Sequence, residues 1–519
     1  MHSRVSINHP QHSLARRVLA LSLLAALSDS SAAARALPAD IPLQWPLPHE
    51  RSAQLTPLRA RLDAMRISRP ASASAQPRVL TVANCADDDS AGSLRTAVEL
   101  ALSGDTIDLS QLTCSTISLS QGALKAALDD LTLIGPGADR LTLDGGNHDR
   151  ILLHPASGTL TIDGLTIAHG RFDAVDNDIG FGGCVATGAD LVLRNSVIRD
   201  CLAVGVGSYG GGVLSGYLTM SNSTISGSTA FGDHPTNGTA AYGGGVFAYG
   251  VRIIDSTISG NRAIGTDNAP LSHWEIGGGL FIARNGGSIE RSTISDNFAI
   301  RFAGGLTQEG MLELRNSTIS GNSTEQDDGG GLRVRQVTSI RVTNSTIAGN
   351  HAGSYGGGIS FINNALPSTL ISTLVADNHS ASGADDVYSS MLLPISGSHN
   401  LVIQVGGGAQ LPADTLDDDP NLLPLADNGG ATQTHALPAA SPAIDSGDNP
   451  DARLTDQRGT GYPREFNGRA DIGAYEAQGV VAQVAVALNG VGKAAWVILT
   501  ALLALAGGMR WRGQRNTAD

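Results

Sequence analysis

The sequence predicts an all-β fold, a right-handed parallel β-helix (solenoid) with an N-terminal helix/strand cap and a C-terminal capping segment. Three observations predict it: a short strand motif that recurs, a glycine cluster in step with it, and a polar position at constant distance beyond it.

The motif is x-Ser-Thr-Ile. Its apolar marker falls at 198, 225, 258, 294, 319 and 347, and at 375 in a degenerate copy running from Ser372 to Val375. The steps are 27, 33, 36, 25, 28 and 28 residues, which suits coils of one minimum length that carry insertions at one corner. Glycine clusters end at Gly183, Gly212, Gly245, Gly279, Gly305, Gly331 and Gly358, and the next marker follows after 13 to 17 residues. Each coil therefore reads as a turn, a Gly-Gly-apolar strand, a second turn and an x-Ser-Thr-Ile strand. In Val251-Arg-Ile-Ile-Asp-Ser-Thr-Ile, apolar and small polar residues alternate, so one face points inward. Three residues past the marker stand Asn261, Asn297, Asn322, Asn350 and Asn378, with Cys201 and Ser228 in the first two copies. An asparagine there can bond its amide to the same residue one coil away and tolerates left-handed backbone. The Ser and Thr of the motif read as strand surface, because no histidine recurs beside them to activate a nucleophile.

Leu131-Thr-Leu-Ile, Leu141-Thr-Leu-Asp and Leu160-Thr-Ile-Asp read as earlier coils without the glycine cluster, so the repeats are expected over 131–410. Leu94, Ala97, Val98 and Ala101 have helical spacing, and Gly104-Asp-Thr-Ile turns into a strand. The region 81–130 thus reads as a cap over the open first coil, which would otherwise expose an unpaired edge.

Composition agrees. The chain has 519 residues with 64 glycines and only 4% aromatics, which leaves little for a conventional globular core. A net charge of −14 argues against nucleic acid and against an anionic membrane face. Residues 1–36 read as a signal peptide, with Arg4, Arg16 and Arg17 before an apolar run and Ala34-Arg35-Ala36 as a cleavage site. Residues 37–80 read as a low-order linker. At the other end, 479–519 is a hydrophobic sorting or anchor tail, in which Ala494 to Ala506 precedes Arg510, Arg512 and Arg515. Export through the inner membrane, to the cell surface, the outer membrane or the medium, follows. Membrane contact is expected only through that tail, as a span or a processed signal. The four cysteines allow three pairings, of which Cys85–Cys114 and Cys184–Cys201 are the natural ones in an oxidising compartment.

Cys85…Gly92-Ser-Leu-Arg-Thr-Ala…Gly104-Asp-Thr-Ile followed by these repeats resembles bacterial secreted proteins with right-handed parallel β-helix regions. Asp427-Asn-Gly-Gly-Ala-Thr-Gln-Thr-His435-Ala-Leu, Ser441-Pro-Ala-Ile-Asp445, Thr455-Asp-Gln-Arg-Gly459 and Asp471-Ile-Gly-Ala-Tyr-Glu476 are similar to the "choice-of-anchor" type Q domain, here 411–478. That resemblance implies a surface or envelope location, sorting machinery as a partner, and no established enzymatic activity. Within it Asp456, Arg458, Arg469, Asp471 and Glu476 read as an ion-pair network tying the C-terminal cap to the last coil.

Insertions are expected between the polar position and the next glycine cluster. The loops 229–242 and 262–276 protrude there on consecutive coils, with Phe231, Asp233, His234, Tyr242, Asp267, His273, Trp274 and Glu275. Phe231, Tyr242 and Trp274 could stack on sugar rings while Asp233 and Glu275 accept from hydroxyls. An earlier loop holds Asp173, Asp176 and Asp178, which could offer oxygens to Ca²⁺; no other cofactor is expected. The function expected from all this is a noncatalytic adhesion, glycan-binding or envelope structural module, not an enzyme. Its partners would be an extracellular polysaccharide or other envelope components. The alternative is a polysaccharide lyase or glycoside hydrolase on the same fold, with Asp233, Asp267 and Glu275 as acids and His234 or His273 as bases.

Overall fold

The computed structural model describes residues 76–174, 179–233, 240–266, 274–335, 339–363, 366–383 and 386–478. Residues 1–75 and 479–519, where a signal peptide, most of a linker and a sorting or anchor tail are expected, lie outside the described residues.

The chain winds as a right-handed parallel β-helix. Two sheets run its length, one of 19 strands and one of 11 built from the Ser-Thr-Ile segments. Ile198, Ile225, Ile258, Ile294, Ile319, Ile347, Val375 and Val402 stack in register, and none is more than 2% exposed. Across the narrow core the 19-stranded sheet answers with Val185, Val213, Val246, Leu280, Leu306, Leu332, Ile359 and Val387. Each such side chain contributes roughly 1.5–3 kcal/mol by leaving water, and branched aliphatics fill so thin a core where rings would not.

The winding begins earlier than the repeats suggest. Val79–Thr81 pairs with Thr106–Asp108, which pairs with Leu131–Ile134. The cap region therefore already contains coils, with helix Leu94–Leu100 laid on them. Ser93 caps that helix by accepting from the Thr96 amide at 3.1 Å, and Leu94, Ala97 and Val98 are its buried face. Cys85 and Cys114 are joined beside it.

The corners explain the motif. The residue before each motif serine is left-handed, with φ of 48° at Asn195, 47° at Asn222 and 43° at Asn316. The serine is then not strand surface as expected but buried: the amide of Ser223 donates to Ser256 Oγ at 3.2 Å and that of Ser256 to Ser292 Oγ at 3.2 Å. Of the threonines, Thr224 and Thr257 are partly exposed, whereas Thr293, Thr318 and Thr346 are buried. At the other end of the strand each asparagine amide donates to the next, Asn261 to Asn297 at 3.0 Å, Asn297 to Asn322 at 2.9 Å and Asn322 to Asn350 at 2.9 Å. These asparagines are not left-handed; the residue before each takes that role, as Gly260, Asp296, Gly321, Gly349 and Asp377 do.

The last glycine of each cluster faces that ladder. A Cβ on Gly245 would stand 2.8 Å from the Asn261 amide, and one on Gly305 would stand 2.9 Å from that of Asn322. In the first full coil Cys184 holds the glycine position and Cys201 the asparagine position, and the two are joined. The disulfide occupies the ladder's first step.

The C-terminal segment lies along the flank of the final coils rather than tying only to the last one. Thr432 Oγ1 donates to Arg291 O at 3.1 Å, Asn316 Nδ2 to Thr455 O at 3.0 Å, Asn344 Nδ2 to Asp448 O at 2.8 Å, and the Ala474 amide to Thr346 Oγ1 at 3.0 Å. Asp451 pairs with Arg315 at 2.9 Å, and Leu437, Ala443 and Ile472 close over Leu374 and Leu401. Its buried charges hold the segment to itself: Asp456–Arg458 at 2.6 Å and Arg464–Glu476 at 2.8 Å, with Arg458 between the rings of Tyr462 and Tyr475 at 4.0 and 3.9 Å. Arg464, not the exposed Arg469, completes that network.

Candidate functional site

The insertions build a fin. Arg171–Asp173, Leu202–Gly205, Thr229–Gly232 and Arg262–Gly265 stack as one parallel layer. Gly180–Phe181, Gly207–Tyr209, Ala240–Tyr242 and Trp274–Ile276 return as a second. Ala230, Ala241 and Ala263 are fully buried in one cluster, so the layers approach closely. Arg150 plugs the upstream end, its guanidinium 4.0 Å from the Phe172 ring centroid and 4.6 Å from that of Phe181. Burial lowers its pKa to about 10, so it stays charged there.

Where the second layer meets the 19-stranded sheet, a left-handed glycine makes the turn, with φ of 66° at Gly210 and Gly243 and 70° at Gly277. The residues before the turns thereby face the outward column of the 19-stranded sheet. Tyr209 and Tyr242 stack at 5.0 Å, Phe247 and Phe281 at 5.2 Å, and Tyr242 meets Phe281 edge-on at 5.3 Å. Such pairs contribute about 0.5–1.5 kcal/mol each beyond burial. Burial also pushes the Tyr209 phenol up to about 12, so it remains a neutral donor. Of the eight tyrosines in the chain, five (Tyr209, Tyr242, Tyr249, Tyr355 and Tyr388) lie along this strip, a concentration that the repeat alone does not require.

Downstream, where the insertions end, the strip turns polar. Phe302 is followed in register by Asp328 and Tyr355, and the facing column runs Thr307, Arg333, Ser360, Tyr388. Arg333 Nε donates to Asp328 Oδ2 at 2.7 Å, Ser360 Oγ donates to the same oxygen at 3.0 Å, and the guanidinium sits 4.0 Å from the Phe302 centroid. Arg333 is 4% exposed, and its Nη1 has no hydrogen-bond partner among the described residues. Arg301 pairs with Asp327 at 2.6 Å. Two positions on from Arg333, Arg335 is half-buried, and burial followed by the charge of Arg333 lowers its pKa. Glu309 stands exposed just past the adjacent strand Leu306–Gln308. Tyr355, 42% exposed, stacks on Tyr388 at 4.5 Å with 17° between the rings. Aromatic faces beside paired guanidinium and carboxylate groups can hold a sugar ring and exchange hydrogen bonds with its hydroxyls.

The residues singled out from sequence fall differently. Tyr242 is in the strip, but Phe231 belongs to the other layer of the fin, in register with Val204 and Ile264, so the two do not line one groove. Asp233 is exposed, its amide on Gly205 O at 2.7 Å. The backbones of Trp274 and Glu275 pair with Ala240 and Ala241; their side chains, and all of His234, Asp267 and His273, lie outside the described residues. Asp173 is paired with Arg171 at 2.8 Å, and Asp176 and Asp178 are outside the described residues. No group of three metal-ligating side chains is found among the described residues. Tyr355, Tyr388, Arg333 and Glu309 were missed, yet a signal existed: Asp328 and Arg333 stand five residues apart across a glycine turn, and they pair.

No protein-family model and no curated protein matches the chain. A solved structure that it resembles is the crystal structure of pectate lyase Pel9A, at 14% identity and a TM-score of 0.39, covering 78% of this chain and 98% of that one. The likeness is one of fold. The expectation of a chain that is more likely not an enzyme is corrected by that finding, because the structure it resembles is that of a lyase.

Proposed function

We propose that this chain is a carbohydrate-active β-helix protein that takes a polysaccharide along the tyrosine strip and acts on it beside Arg333 and Arg335. The observation that carries the reading is the exposed Tyr355 stacked on Tyr388 next to the buried Asp328–Arg333 pair. Glu309 is an exposed carboxyl at this part of the strip, and it would protonate the leaving glycosidic oxygen while water adds at the anomeric carbon. The two disulfides agree with action outside the cytoplasm, with the terminal segments serving export and anchoring.

The test is to incubate the purified chain with a panel of polysaccharides and to follow both retention and new chain ends. Retention lost on Tyr355→Ala, with cleavage lost but retention kept on Glu309→Gln, supports the reading. No retention on any polysaccharide rejects it.

A further inference from the structure

Resting on that reading, we infer that the strip selects an uncharged, hydroxyl-rich polysaccharide and rejects a polyuronate. The reason is charge balance at the polar end. Arg301 is matched by Asp327 at 2.6 Å and Arg333 by Asp328 at 2.7 Å, and Arg335 lies within the electrostatic reach of Glu309, which follows the neighbouring strand Leu306–Gln308. Among the described side chains, three guanidinium groups thus face three carboxylates, and no surplus cation is left for a chain that brings one negative charge per sugar. A polyanion would have to displace Asp328 from Arg333, leaving a carboxylate buried without its partner, which is a costly exchange. At longer range the net charge of −14 repels such a chain before it docks.

A neutral chain makes the opposite demand. Its rings need apolar faces and its hydroxyls need donors and acceptors together. Tyr355 and Tyr388 supply the faces, and the guanidinium–carboxylate pairs supply both kinds of polar partner without giving up their own charge balance.

The experiment is affinity electrophoresis of the full chain through gels carrying a neutral β-glucan, a mannan, a xylan, a polygalacturonate or an alginate, at low and at high salt. The expected result is retardation by a neutral polymer that salt barely changes and that Tyr355→Ala weakens about tenfold, a step readily resolved in dissociation constants. Tyr355→Trp, which keeps an aromatic face, should retain most of it and guards against a folding defect. On the acidic polymers, Glu309→Gln should create or raise retardation, because it removes a repelling charge. Retardation of the wild-type chain by a polyuronate, falling steeply with salt, would overturn the inference while leaving the polysaccharide reading standing. Failure of every polymer would instead overturn that reading and this inference with it.

Discussion

Asn378 Nδ2 donates to Asp386 Oδ1 at 2.8 Å, and this bond ends a line of side-chain amides that starts at Asn261. Every earlier member both gives and receives. The last acceptor is a carboxylate, which has nothing to donate and so needs no further coil; its second oxygen accepts the Gln404 amide at 2.9 Å.

Removing a middle member should therefore cost more than removing a surface residue. Asn322→Ala strands the Asn297 amide and the Asn322 carbonyl partners in a dry corner, and a loss of about 1–3 kcal/mol per unsatisfied group is expected. Urea unfolding of Asn322→Ala against Ser259→Ala checks this, and equal midpoints would show that the ladder is energetically idle.

Gly305→Ala should be more damaging still. The new methyl would lie 2.6 Å from Gly331 O and 2.9 Å from the Asn322 amide carbon, neither of which can retreat. Gly459→Ala meets nothing within 4 Å and carries only the strain of φ at 80°. We expect the first to lower the thermal midpoint by several degrees more than the second; a reversed order would refute the close-approach account.

Cys184 and Cys201 occupy a glycine and an asparagine position, so they can be exchanged for what the next coils use. Cutting the bond with Cys184→Ser and Cys201→Ser should destabilise by about 3 kcal/mol for a loop of roughly this length. Cys184→Gly with Cys201→Asn should recover part of that loss by adding a rung. Calorimetry of the two double variants under reducing conditions decides, and identical midpoints would mean that the added amide does not join the ladder.

His435 links the flanking segment to the solenoid. Its Nδ1 donates to Leu423 O at 2.7 Å, so Nε2 accepts from Ser320 Oγ at 2.8 Å and the ring is neutral. Burial lowers its pKa below the ordinary 6.5. The unfolded chain then binds this proton more readily than the folded one, so the contribution is whole above about 6.5 and is lost as pH falls through the folded value. Glu476 acts in the opposite sense: burial pushes its carboxyl up to about 7, and its contribution fades as pH rises through that value. Hydrogen exchange over Thr432–Leu437 from neutral to acidic pH should show protection falling in the wild-type chain, and falling less in His435→Gln. Parallel profiles would exonerate this histidine.

The solenoid was legible because its determinants are local and periodic: Ile294 and Ile319 repeat a motif, and Gly279 and Asn297 keep their distance from it. The candidate site was not, because its partners are set by stacking. Arg333 and Asp328 are five residues apart in a chain where arginines look scattered, and only the glycine turn folds one onto the other. Tyr355 and Tyr388 lie on different coils, and neither belongs to the insertions that drew attention to Trp274. Spacing places an insertion well but does not say which layer of it a side chain such as Phe231 will occupy.

The flanking segment also sets how the molecule bears load. A bare stack of coils pulled from one end parts one rung at a time, each rung meeting the full force alone. Here Thr432, Asp451, Asp448 and Gly473 fasten one strap to Arg291, Arg315, Asn344 and Ser372 in successive coils. A pull applied at Gln478 would therefore be shared in shear across several rungs.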